Sequence, residues 1–118
     1  MKDGRTAVTN TRAAAVLLAV LFAIEGSLAA VAHAAPATHT VVMEGMAFKP
    51  DTLTVKQGDT VVWVNKDLFP HTATANDRTF DSGELPANKS WRYAASKPGK
   101  HAYTCTFHPT MKAVLIVK

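Results

Sequence analysis

The chain has 118 residues, five histidines, one cysteine and a formal net charge of +4, with 47% hydrophobic residues. That length holds one small domain, and a single cysteine excludes an internal disulfide framework. The basic excess is interspersed, because Lys49, Lys56, Lys66, Lys89, Lys97 and Lys100 alternate with Asp51, Asp59, Asp67 and Glu84; it forms no nucleic-acid-binding stripe, and no nucleic-acid partner is expected.

Residues 1–34 read as an export signal. Lys2, Arg5 and Arg12 precede a wholly apolar run from Ala13 to Ile24, Glu25-Gly26-Ser27 ends that run, and Ala32-His33-Ala34 supplies the small-x-small pattern a signal peptidase accepts. A bilayer span needs about 20 apolar residues, which favours cleavage after Ala34, or alternatively Ala29, over a retained anchor. The remaining domain, residues 35–118, has 84 residues and a net charge of +3, enough for one modest core. It is expected in the periplasm as a monomer, with no stable membrane insertion after cleavage. A free thiol in such an oxidising compartment needs burial or a metal.

From Thr40 onward, short strands alternate with turn signals, and no stretch keeps a helical period. Thr40 to Gly45 leads into a bend at Phe48 and Pro50. Thr52 to Asn65 reads as two strands about the turn Gln57-Gly58-Asp59; Val61 and Trp63 oppose Val62 and Val64, so both faces of the second strand are apolar and it belongs near the core. After Asn65-Lys66-Asp67 comes His71, directly behind Pro70. Further strands are expected over Lys89 to Ala95, with Trp91 and Tyr93 on one face, and over Lys100 to Cys105, with His101, Tyr103 and Cys105 on one face. The last begins near Ala113. About seven strands and no helix predict an all-β, antiparallel β-sandwich.

Cys105, His108 and Met111 stand at successive intervals of three, immediately before that last strand. Each has an ordinary reading alone: a buried thiol, a surface imidazole, core filler. Together they offer a thiolate, an imidazole and a thioether from one tight loop, and His71, about 35 residues earlier, is the available second imidazole. A thiolate and two imidazoles with a weak axial methionine make a type 1 copper site.

The stretches Gly58 to Thr72 and Pro98 to Lys118 resemble the cupredoxins, the type 1 blue copper proteins, over essentially all of residues 40–118. The two-residue gap between His108 and Met111 is the short ligand loop of the amicyanin-like branch; plastocyanin-like loops are similar but longer. By this resemblance the fold is a Greek-key β-sandwich, His71, Cys105, His108 and Met111 are the ligands of one copper ion, and the partners are redox proteins of a dehydrogenase or cytochrome c-like kind, met transiently. Three positions depart from the pattern. Thr72 stands where an asparagine usually ties the two ligand loops together, a task its hydroxyl retains if it bonds a backbone group of the Cys105 loop. Phe107 and Thr110 differ from the usual loop residues, and the N–H of Phe107 is expected to point at the Cys105 sulfur. His101 replaces an aromatic residue and reads as a core substitute, since four strand residues put it roughly 13 Å from Cys105.

The leading function is a one-electron shuttle with no enzymatic activity, exchanging through His108 under an apolar patch of Phe69, Pro70, Phe107 and Pro109. Copper enzymes of similar fold need further sites with His-x-His pairs, and none occurs here. Periplasmic copper delivery or storage is the alternative, although its methionine-rich tracts are missing. A zinc site is disfavoured by the methionine. His33 falls in the signal segment, and His39 is expected to be solvated.

Overall fold

The computed structural model describes residues 26–30, 32 and 34–118; the basic residues and apolar run of the expected export signal, and His33, lie outside the described residues. Among the described residues every regular element is a strand: β1 (Thr38–Glu44), β2 (Ala47–Lys49), β3 (Thr52–Val55), β4 (Thr60–Asn65), β5 (Thr74–Ala75), β6 (Ser90–Ala94), β7 (Gly99–Cys105) and β8 (His108–Val117). Alternation decides which side of each strand is buried. Along β4, Val61, Trp63 and Asn65 are buried while Val62 and Val64 are half-buried, as suits a strand flanked on both edges. On β7 the expected inward set, His101, Tyr103 and Cys105, is buried.

The strands form two sheets of order β2-β1-β4-β6 and β3-β8-β7-β5. The all-β sandwich is as expected, but its sheets are mixed rather than wholly antiparallel, because β1 runs parallel to β4 and β3 parallel to β8. The reason is the route of the chain. After β2 it crosses to the second sheet to lay β3 beside β8, then returns, so β4 enters the first sheet in the direction of β1. The two strands about Gly58 therefore belong to different sheets and do not form a hairpin.

Trp63 lies at the centre of the core. Its ring is 5.2 Å from that of Phe80 and 5.6 Å from that of Tyr103, and its indole N–H donates to the Tyr103 hydroxyl at 3.3 Å. Such aromatic pairs each add of order 1 kcal/mol beyond the area they bury. The chain between β5 and β6 returns along the His71 segment. Leu85 exchanges both backbone hydrogen bonds with His71, and Ala75 N–H donates to Phe80 O at 2.9 Å. The His71 segment is thus held from one side by this returning chain and from the other by β7, which pairs Thr74 with Thr104 and Ala75 with Tyr103.

Candidate metal centre

The β7–β8 connection makes the site. Cys105 pairs with His108 across a two-residue loop, Thr106-Phe107, so β8 begins at His108 and not near Ala113. One step back along β7 the register jumps, since Thr104 pairs with Lys112. Pro109, Thr110 and Met111 are therefore extra residues on β8. A bulge of this kind re-aims side chains next to a site, and here Met111 is buried while Pro109 and Thr110 remain exposed.

His71 reaches the same place from the other loop. Cys105 Sγ lies 3.7 Å from His71 Nδ1 and 3.6 Å from His108 Nδ1, and the three donor atoms all lie within 4.8 Å of one another. Bonds of about 2.0 Å to an imidazole nitrogen and about 2.3 Å to a thiolate, the lengths a comparable first-row ion makes, separate nitrogen and sulfur by about 3.7 Å when they open at a trigonal angle. The three donors therefore fit one metal ion. His71 and Cys105 are fully buried and His108 is half-exposed.

Around the donors, hydrogen bonds link the two loops to each other and to neighbouring segments. The second nitrogen of His71, Nε2, donates to Asp67 Oδ2 at 2.7 Å. Burial pushes the Asp67 carboxyl up, but the Met46 N–H, the His71 ring and the Gly45 N–H outweigh it and hold the group below the usual carboxylate range. Thr72 does what its hydroxyl allowed: Thr106 N–H donates to Thr72 Oγ1 at 2.9 Å, tying the Cys105 loop to the His71 loop. The Thr74 hydroxyl, 3.0 Å from Asp81 Oδ1, also donates to Thr72 Oγ1 at 2.9 Å. The N–H aimed at the sulfur is that of Thr72, at 3.3 Å; the bond expected from Phe107 is not made. Within a hairpin loop that ends at Cys105 and His108, the cross-loop neighbour has the better approach to Sγ.

His101 stays out of this cluster, as expected, yet it is no plain core substitute. One ring nitrogen faces Asp77 Oδ2 and the other the Lys97 carbonyl at 2.9 Å. Neutral imidazole has one N–H, so two acceptors require the imidazolium. The Asp77 contact raises the His101 pKa above its ordinary value against the cost of burial. The Thr79 hydroxyl, followed by His101, holds Asp77 down to about 2. His39 is likewise not simply solvated, since its Nε2 meets Asp59 Oδ2 at 2.9 Å. Sequence reasoning missed Asp67, Thr74, Thr106 and Asp77 as partners. Asp67, a carboxylate four residues before a candidate ligand, carried the one usable signal.

A family model described as a cupredoxin-like domain matches residues 14–117. The chain belongs to the cupredoxin-like family. It is 28% identical to amicyanin-alpha of Methylorubrum extorquens over 79% of this chain and 82% of that protein, and 26% identical to the amicyanin of Paracoccus denitrificans over 96% and 97%. Among solved structures, a Cu(I) form of an amicyanin variant is similar with a TM-score of 0.65 at 25% identity, over 73% of this chain and 87% of that one. A copper-containing nitrite reductase from Thermus scotoductus reaches the same TM-score, 0.65, at 31% identity, but 74% of this chain spans only 23% of that longer enzyme. Thiolate, two imidazoles and a buried thioether nearby on β8 make up the donor set of a type 1 copper cupredoxin.

Proposed function

We propose that this cupredoxin is a small exported carrier of single electrons between protein partners, with His71, Cys105, His108 and Met111 as the ligands of one copper ion. Bound copper supplies a one-electron Cu(II)/Cu(I) couple. The observation that carries the reading is the convergence of Sγ and the two Nδ1 atoms, 3.7 and 3.6 Å apart, at the end of the sandwich where its ligand loops meet.

The chain's own residues divide the work. Cys105 and His71, without solvent exposure, keep water from the donors, and the Thr72 N–H draws density from the sulfur. His108, half-exposed, is the route in and out. Leu68 (88% exposed), Phe69 (62%) and Phe107 (50%) stand on the two ligand loops and form a small apolar surface of the kind used in brief redox encounters. Its expected occupants are a dehydrogenase or a cytochrome c-like protein, bound transiently to the monomer. Residues 1–34 act as the cleaved signal and residues 35–118 as the periplasmic domain. Copper delivery is the weaker reading, because two donors with no solvent exposure favour retention over exchange.

The test is a titration of the metal-free protein with Cu(II). Intense blue absorption and a reversible one-electron wave are expected, lost in Cys105→Ser and kept in His101→Phe. A colourless complex, or colour lost in the His101 variant, overturns the ligand assignment. For export, N-terminal sequencing of the periplasmic protein is expected to start at Ala35; an intact Met1 on membranes contradicts it.

A further inference from the structure

Both tryptophans and both tyrosines of the chain lie in one run of neighbouring rings that begins beside the metal centre and ends at the surface. Tyr103 and Cys105 occupy one face of β7, two residues or about 7 Å apart along the strand, and both are buried. Across the sandwich the Tyr103 ring stands 5.6 Å from that of Trp63, whose indole N–H donates to the Tyr103 hydroxyl at 3.3 Å. Trp63 pairs directly with Trp91 on the edge strand β6, and their ring centres are 5.5 Å apart. Trp91 stacks on Tyr93 at 6.0 Å, with ring planes 14° apart. Buried Phe80 packs against all four rings. Tyr103 and Trp63 are closed to solvent, whereas Trp91 and Tyr93 are half-buried. Tyr93 pairs with Val61, four residues back along β4 from Asn65, whose amide bonds the Phe69 and Leu85 carbonyls. The run therefore emerges about 13 Å along the sandwich from the ligand loops.

Resting on the copper reading above, we propose that Tyr103, Trp63, Trp91 and Tyr93 form a relay that carries single electrons from the reduced metal centre to the β6 edge, where they quench oxygen-derived radicals. Indole and phenol rings give up an electron far more readily than benzene rings or aliphatic side chains, and short steps between packed rings outpace one long jump through a saturated core. Packing accounts for Trp63 and Tyr103 in the interior. It does not require two further oxidisable rings to continue the run out to solvent on an edge strand. A radical of this class takes one electron from the Trp91 ring and leaves as its anion, and the oxidised indole releases its N–H proton to water. One electron passed from the reduced centre by way of Tyr103 and Trp63, with one proton from water, restores Trp91. The net change is one radical reduced and the centre oxidised by one electron. Tyr93, stacked on Trp91, is the second resting place of the electron vacancy, and His108 stays free for protein partners.

The experiment generates azidyl radicals, which oxidise indole rings, by pulse radiolysis of the Cu(I)-loaded protein as wild type, Trp91→Phe and Trp63→Phe. In wild type the indolyl radical is expected to decay in a first-order phase independent of protein concentration, while the blue absorption of the oxidised centre grows at the same rate. Trp91→Phe, which keeps a ring against Phe80, is expected to lose that phase. Trp63→Phe is expected to keep the indolyl radical but lose its coupling to the blue absorption. An unchanged Cu(II) spectrum shows that each variant retains its site, and Trp91→Phe decides alone where Trp63→Phe does not fold. A first-order growth of blue that persists in Trp91→Phe, or is missing from wild type, overturns the relay. In the metal-free protein the vacancy on Trp91 is expected to pass to Tyr93, with indolyl absorption giving way to phenoxyl, and Tyr93→Phe is expected to abolish that transfer. A wild-type protein that never turns blue defeats the copper reading, while the metal-free transfer still judges the surface end of the relay, and its absence overturns that end.

Discussion

The two imidazoles that face Cys105 are built differently. His71 has no solvent exposure, shares both its backbone hydrogen bonds with Leu85 and gives its second ring nitrogen to Asp67. His108 is half-exposed at the start of β8, and among the described residues no carboxylate stands within ion-pair distance of it. Of the four histidines in the sandwich, His39, His71 and His101 each meet an aspartate. One half of the site is therefore made like a protein core and the other like a loop. The core half keeps the donor geometry, and the loop half presents an edge to partners. His101 adds a second lesson, because the same His–Asp pair stands in two different settings. His101 faces acceptors on both nitrogens and must be cationic, whereas His71 faces Asp67 on one side and a metal-binding thiol on the other.

The comparison breaks most visibly in the metal-free protein. His71→Ala removes a buried ring and strips Asp67 of a partner, so urea unfolding is expected to show a loss of about 2 to 3 kcal/mol. His108→Ala is expected to stay within about 0.5 kcal/mol of wild type, and equal losses would erase the distinction. Next in size is the tie between the halves. Thr72→Val removes the acceptor of the Thr106 N–H, costing about 1 to 2 kcal/mol and speeding exchange of the Thr106 amide; Thr72→Ser should restore slow exchange, and an unaffected Thr106 in the valine variant would show that the loops are tied elsewhere.

A smaller effect is the pH dependence of the His101–Asp77 pair. The folded-state pKa of His101 is raised, so its stabilisation is complete below the unfolded value of about 6.5 and is lost as pH rises through the folded value. Asp77, held down to about 2, contributes above the unfolded value of about 3.9, and that contribution fades as pH falls toward 2. Its side chain is 44% exposed, so water screens the pair and the slopes are shallow. Thermal unfolding between pH 6 and 9 is expected to decline in wild type and to flatten in His101→Phe; parallel curves would remove the cationic assignment. Smallest is Phe107→Pro. Because the Sγ donor is the Thr72 N–H, voltammetry should find the potential little changed with the site intact, and a large fall would restore Phe107 as the tuning donor.

Much of this was legible in the sequence wherever the determinant was local. Trp63 and Val61 announced a central strand by alternation, and the three chemically rare ligand types of the Cys105 loop lie within seven residues of one another. His71 was legible because few other imidazoles were available. What stayed hidden depended on partners distant along the chain. The parallel pairing of β1 with β4 follows from a crossover that no period reveals. Phe80 enters the core from a segment without regular structure, and the turn at Gly45-Met46 meets Asp67 from 21 and 22 residues away. The bond from Phe107 failed for the same reason, since the competing N–H of Thr72 comes from 33 residues upstream.

The most direct measurement is the visible spectrum of two Cu(II)-loaded variants, His71→Gly and His108→Gly, with imidazole added from solution. A half-exposed ligand leaves a gap that solvent can reach, so added imidazole is expected to return the blue absorption of His108→Gly. In His71→Gly the gap is sealed behind buried residues and its Asp67 anchor is unmatched, so the colour is expected to stay absent. Blue restored in His71→Gly, or a failure to restore it in His108→Gly, would contradict a centre with one anchored and one open imidazole.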